Sequence, residues 1–149
     1  TGWRLGYLSA NKEIVDKISI INQHINSNTN TFIQKGAVNS YNINKKFIEK
    51  FRKDLKIKSK YLNLILNQKY HCNLIMPEGG FFAFLDISSM NILSDEFAYN
   101  LLKKYNVAVT PGIIFGKNWN KYIRISMSTD LKEFKKGIDL LGKFINEKK

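Results

Sequence analysis

Two arginines set in strand-like patterns are the residues of this sequence best suited to chemistry. In Thr1-Gly2-Trp3-Arg4-Leu5-Gly6-Tyr7, a period of two sends Trp3, Leu5 and Tyr7 to one face of a strand and Gly2, Arg4 and Gly6 to the other. Glycine weakens a strand and often marks a place where a ligand approaches the backbone. A half-buried guanidinium calls for an anion, because stripping a buried charge of its partner costs about 3–5 kcal/mol. Arg4 reads either as a phosphate or carboxylate site or as part of an ordinary strand, paired with an Asp or Glu elsewhere. The second case is Tyr122-Ile123-Arg124-Ile125-Ser126-Met127, where Ile123, Ile125 and Met127 share one face and Tyr122, Arg124 and Ser126 the other. A guanidinium binds a carboxylate through two parallel hydrogen bonds, which sets orientation as well as energy. An amphipathic edge strand with Arg124 in solvent fits the same pattern.

The remaining composition bounds what else the chain could do. Its 149 residues suffice for one domain, or for one domain plus a piece of another. At 44% hydrophobic and 13% aromatic it is globular rather than disordered. No apolar run approaches the ~18 residues of a membrane helix, and no signal peptide is visible. The single cysteine, Cys72, excludes an internal disulfide and fits a reducing compartment. His24, His71 and Cys72 lack a zinc-like spacing, so no metal site is expected. The net charge, 24 − 12 = +12, suggests nucleic acid, but its distribution argues against that partner. The lysines are scattered along helical stretches, and Arg52, the third arginine of the chain, sits among them as one more solvated cation.

The elements that would position the two arginines follow from hydrophobic period and turn residues. A helix after Ser9–Asn11 carries Ile14, Ile18, Ile21 and Ile25 on one stripe, and Asn26 to Thr31 reads as a loop. Phe32 to Tyr41 resumes a helical pattern. Asn42 to Gln68 reads as a long charged helix with Phe47, Phe51, Leu55, Leu62 and Leu66 inward. Strands are expected at 73–76, 81–87, 107–110 and 122–127, with turns at Pro77–Gly80 and Pro111-Gly112. Between the second and third lies a helix capped by Ser94. A final helix opens on Asp130 with Glu133 and carries Leu131, Phe134, Ile138, Leu141 and Ile145. Residues 42–149 therefore form an α/β sandwich. Residues 1–41, whose strand has no second strand to pair with, read as the tail of a preceding domain, so that the chain begins within something larger.

The segments TGWRLGY, SNTNTFIQ, PEGGFF, VTPGIIFG and YIRISMS, in this order and spacing, resemble the carboxyl-terminal part of the class I/II aminotransferases, pyridoxal-phosphate enzymes of fold type I. The resemblance covers nearly the whole chain. It implies that residues 42–149 are the small carboxyl-terminal domain, with a mixed sheet of about four strands packed with helices. Residues 1–41 would be the end of the large cofactor-binding domain and a linking helix. It further implies that Arg4 binds the phosphate of pyridoxal 5'-phosphate and that Arg124 holds the substrate α-carboxylate. The Pro77–Phe82 and Pro111–Gly116 segments would return side chains toward the substrate, with Phe81 either an apolar wall or plain core. Ser27–Thr31 resembles a loop near the subunit interface, although Thr29 stands where the family usually has proline.

The same resemblance implies a homodimeric, cytoplasmic enzyme moving an amino group between an amino acid and a 2-oxo acid, with neither nucleic acid nor membrane as partner. The Schiff-base lysine of the family precedes the TGWR segment, so no residue here is expected to be catalytic and residues 1–149 alone are expected to be inactive. Two other readings keep both arginines. One is a different chemistry on this fold, such as a carbon–sulfur lyase or an acyl-condensing synthase. The other is an aminotransferase-like sensor domain of a transcription regulator.

Overall fold

A computed structural model describes residues 2–42 and 44–148 of the chain, which divides into two compact units, Thr1–Phe47 and Ile48–Lys149. In the first unit, α1 (Lys12–Asn26) starts where the Asn11 side chain accepts the Ile14 N–H at 3.0 Å. Helix α2 (Thr31–Val38) starts in the same way on Asn30, whose side chain accepts the Phe32 N–H at 3.1 Å. Short polar side chains at these positions satisfy amide donors that the first turn leaves free. The isoleucine stripe of α1 forms as expected, yet Ile14, Ile18, Ile21 and Ile25 all stay exposed.

The strand expected at residues 1–7 does not form. Thr1 lies outside the described residues, Gly2 and Trp3 make a turn, and Arg4 adopts a φ of 55°. An extended segment needs a neighbouring strand for its N–H and C=O groups, and none pairs with it among the described residues. Trp3 instead sets the edge of its ring against Phe32, centroids 6.4 Å apart.

Helix α3 (Lys45–Leu62) runs on into a π-helical turn, Asn63–Lys69. Leu62 and Leu66 are fully buried and Leu55 packs beside them, but Phe47 and Phe51 lie exposed, contrary to the expected inward stripe. Within the π turn, the Asn67 side chain accepts the Leu74 N–H at 2.9 Å and so ties this turn to the first strand.

The second unit is built on a four-stranded sheet in the order β1-β2-β4-β3: β1 (Asn73–Ile75), β2 (Phe82–Asp86), β3 (Thr110–Pro111) and β4 (Tyr122–Ser126). Every pairing is antiparallel, which corrects the expectation of a mixed sheet. The reason is topological. Helix α4 (Ser94–Tyr105) crosses from β2 to β3, two strands that run the same way, but β4 inserts between them and is antiparallel to both. Strand β3 is also shorter and later than expected. Pro111 pairs with Ile123, which a residue without an N–H can do because β3 is an edge strand.

One face of the sheet carries Leu74, Ala83, Leu85, Ile123 and Ile125, and packs with Phe97 and Leu101 of α4 and with Phe134, Ile138, Leu141, Phe144 and Ile145 of α5 (Leu131–Lys148). Phe97 and Phe144 meet edge to face at 5.0 Å. Asp130 starts α5 by accepting the N–H groups of Lys132 and Glu133, as its position predicts. Lys58 of α3 is 3% exposed, and its ammonium bridges Asp54 to the Thr129 carbonyl in the turn after β4. The opposite face of the sheet carries Phe82, Phe84 and Asp86 of β2 with Tyr122, Arg124 and Ser126 of β4, half-buried or exposed.

Candidate functional site

Strand β4 alternates as its sequence predicts. Ile123, Ile125 and Met127 are buried, so Arg124 projects from the open face of the sheet. It is flanked in register by Phe84 on β2 and Thr110 on β3. Its Nη2 donates to Thr110 Oγ1 at 3.2 Å, and its Cζ lies over the rings of Phe82 and Phe115 at 4.1 and 5.1 Å from their centroids. Its Nε is buried with no hydrogen-bond partner among the described residues. A guanidinium carries five N–H donors, and only the bond to Thr110 is made here.

The alternative of an amphipathic edge strand with Arg124 in solvent therefore does not hold: β4 lies between β2 and β3, and Arg124 is half-buried against Phe82 and Phe115. Neither Arg124 nor Arg4 is in an ion pair. Asp86, the one carboxylate on the same sheet face, is already engaged: it accepts the Ser88 N–H at 2.8 Å and the Asn73 amide at 3.2 Å. Burial pushes its carboxyl up, but these hydrogen bonds outweigh burial and hold it below the ordinary carboxylate range. A buried donor without an acceptor costs about 1–3 kcal/mol, more when charged, so Arg124 carries an unmet hydrogen-bonding demand among the described residues.

The loop that brings Thr110 and Phe115 to Arg124 is held by residues whose roles the sequence did not reveal. Ser94 is the first residue of α4 and does not cap it. Fully buried, its hydroxyl donates to Asn120 Oδ1 at 2.9 Å and accepts the Ile113 N–H at 3.1 Å, closing the 113–120 loop onto the helix start. Gly112 is buried under the same loop, and a Cβ there would lie 2.1 Å from Trp119 O and 2.5 Å from Tyr122 O. Only a glycine lets the chain pass this close, and the following 3-10 turn, Gly112–Phe115, then delivers the Phe115 ring. That ring is backed by Phe84 at 5.6 Å, which in turn touches Trp119 at 5.4 Å, and Trp119 meets Tyr122 at 5.3 Å.

Of the two aromatics in Phe81-Phe82, the second lies against Arg124. Phe81 packs against the core and its carbonyl accepts the Met127 N–H, so the plain core reading of Phe81 is the one realised. Arg4 belongs to the first unit. It is exposed, forms no hydrogen bond or ion pair among the described residues, and has glycines on either side with open space around them. Among the described residues no group of three His, Cys, Asp or Glu side chains could hold a metal ion, and no helix is long and apolar enough to cross a membrane.

The sequence profile of the family described as aminotransferase class I and II matches residues 1–141. The chain is similar to the aspartate aminotransferase of Pyrococcus abyssi, 32% identical over 100% of this chain and 39% of that protein. It is likewise similar to a (5-formylfuran-3-yl)methyl phosphate transaminase of Methanocaldococcus jannaschii, 31% identical over 99% of this chain and 39% of the relative. Among solved structures, an aromatic aminotransferase from Pyrococcus horikoshii superposes with a TM-score of 0.85, at 29% identity, over 99% of this chain and 40% of its own. The chain thus spans about two-fifths of the length of the relatives it matches, and it belongs to the class I and II aminotransferase family.

Proposed function

We propose that the full polypeptide is a pyridoxal-phosphate-dependent aminotransferase that moves an amino group between an amino acid and a 2-oxo acid. In this reading residues 42–149 are its small carboxyl-terminal domain and residues 1–41 the end of its large one. The observation that carries this reading is Arg124: a half-buried guanidinium with an orphaned Nε, against two aromatic rings and with no carboxylate partner among the described residues. Arg124 binds the α-carboxylate of the substrate, and its planar fork fixes which way the amino group and Cα hydrogen point. The rings of Phe82 and Phe115 keep water from the guanidinium on the sides they cover, which strengthens its hold on a carboxylate.

The residues present fit one end of the cofactor. Arg4 offers an exposed guanidinium without a partner among the described residues, and nothing stands within 4 Å of where a Cβ would be at Gly2 or Gly6, so a phosphate can approach. Arg4 would hold that phosphate as a charge-assisted donor. When bound, pyridoxal phosphate acts as the electron sink that makes the Cα proton removable. Proton transfer needs an amine base, and the family's Schiff-base lysine matches none of the lysines in residues 1–149; neither Arg4 nor Arg124 supplies that base. The family membership supports a homodimer, and the lone Cys72 suits the cytoplasm.

The test is isotope transfer. Full-length protein supplied with pyridoxal phosphate, 15N-labelled amino acids and 2-oxoglutarate is expected to yield 15N-glutamate. Release of ammonia or sulfide with no label in glutamate would overturn the assignment in favour of a lyase.

A further inference from the structure

We infer that Phe82, Phe115 and Thr110 are positioning residues of the carboxylate clamp, setting the plane of the Arg124 guanidinium before substrate arrives; this rests on the reading of Arg124 given above. An arginine side chain has four rotatable bonds, and freezing it on binding costs part of the affinity it provides. Here the freezing is built in. The Phe82 and Phe115 rings at 4.1 and 5.1 Å from Cζ restrict the guanidinium plane, and the Thr110 hydroxyl at 3.2 Å from Nη2 restricts its rotation within that plane. Each of the three is itself fixed. Thr110 is paired to Arg124 across the sheet, and Phe82 lies on β2 diagonal to Arg124, opposite Ser126. Phe115 follows the Gly112 turn that Ser94 pins, and rests on Phe84.

Thr110 takes one Nη2 N–H and leaves the other Nη N–H groups without a protein acceptor among the described residues, whereas an Asp in its place would neutralise the charge. The partner is thus strong enough to orient and too weak to compete.

The experiment uses the full-length holoenzyme and a selectivity ratio: kcat/KM for an amino acid divided by kcat/KM for the amine that lacks its α-carboxylate. Either L-phenylalanine with 2-phenylethylamine or L-aspartate with 3-aminopropanoate serves. Phe82→Leu and Thr110→Val are each expected to lower the ratio about tenfold, mainly through KM of the amino acid. Phe82→Tyr and Thr110→Ser, which keep the ring and the hydroxyl, are expected to restore it to within about twofold of wild type. Thermal unfolding of each variant accompanies the kinetics, and Thr110→Val provides an independent arm should Phe82→Leu not fold. Arg124→Met is the reference. If it collapses the ratio while Phe82→Leu and Thr110→Val leave it intact, the positioning role is overturned and the clamp stands. If Arg124→Met itself leaves the ratio intact, the clamp reading fails and the positioning role with it.

Discussion

Replacing Gly112 with alanine tests the packing that shapes the site. The added Cβ would lie 2.1 Å from Trp119 O, 2.5 Å from Tyr122 O and 3.1 Å from Trp119 C. A carbon–oxygen contact is relaxed only at roughly 3.3 Å, so both carbonyls, or the backbone at 112 itself, must shift by about 1 Å. Both are main-chain atoms, one in the loop and one at the start of β4, so no side-chain rotation relieves the contact. Overpacking of this kind costs about 1–3 kcal/mol. The shift also pulls Ile113 from the Ser94 hydroxyl, which adds about 1 kcal/mol for a buried hydrogen bond. The expected loss is therefore about 3 kcal/mol, read as a fall in the urea midpoint at constant slope. Gly79→Ala is the control, since an added Cβ there meets nothing within 4 Å and its backbone is not in the left-handed region. A Gly112→Ala loss under about 0.5 kcal/mol, similar to a surface substitution, would show that the two carbonyls do not confine position 112 to glycine.

Three further outcomes are expected. Along α5, Gly137→Ala stabilises by about 0.5–1 kcal/mol, as removing a mid-helix glycine does where space is open, whereas Gly142→Ala destabilises by about 1–3 kcal/mol by driving a Cβ to 2.2 Å from the Tyr70 ring; paired urea melts check the opposite signs. Asp54→Ala costs about 3 kcal/mol because it leaves the buried Lys58 ammonium with only the Thr129 carbonyl, while Lys58→Met stays within about 1 kcal/mol of wild type, and the same melts test that order. Burial, reinforced by the hydrogen bond to Asp139 at 2.7 Å, pushes the Tyr61 phenol up to about 12. Its contribution to stability is thus complete below pH 10 and lost as pH rises through about 12. An alkaline absorbance titration against Tyr61→Phe should find this step, and Asp139→Asn should move it down.

Much of this architecture is legible in the sequence wherever a single local rule decides the outcome. The β4 alternation, the three-four spacing of α5 and the Asp130 start of that helix each depend on neighbours within a few residues. What escapes is set at a distance. Ser94 has the residue type of a helix cap, yet its partners are 19 and 26 residues away, and nothing local marks that choice. Gly112 is visible as half of a Pro-Gly turn, but its need for a bare Cα comes from carbonyls at 119 and 122. Phe81 and Phe82 differ by one position in a period-two pattern, and the strand's pairing with β4 decides which one faces Arg124. For Arg4 the local alternation is real but insufficient, because a strand needs a neighbour to pair with. The place of Arg124 on the polar face of β4 was legible from Tyr122 and Ser126 beside it; its neighbours Thr110 and Phe115 were not.

The hold of Arg124 on the substrate carboxylate is read from the affinity of the full-length holoenzyme for its amino donors with and without that guanidinium. A charge-assisted fork is worth about 1.5–3 kcal/mol, so Arg124→Ala is expected to weaken dicarboxylic and neutral amino acids alike, by roughly 10- to 150-fold. Unchanged affinity for every donor would contradict the account.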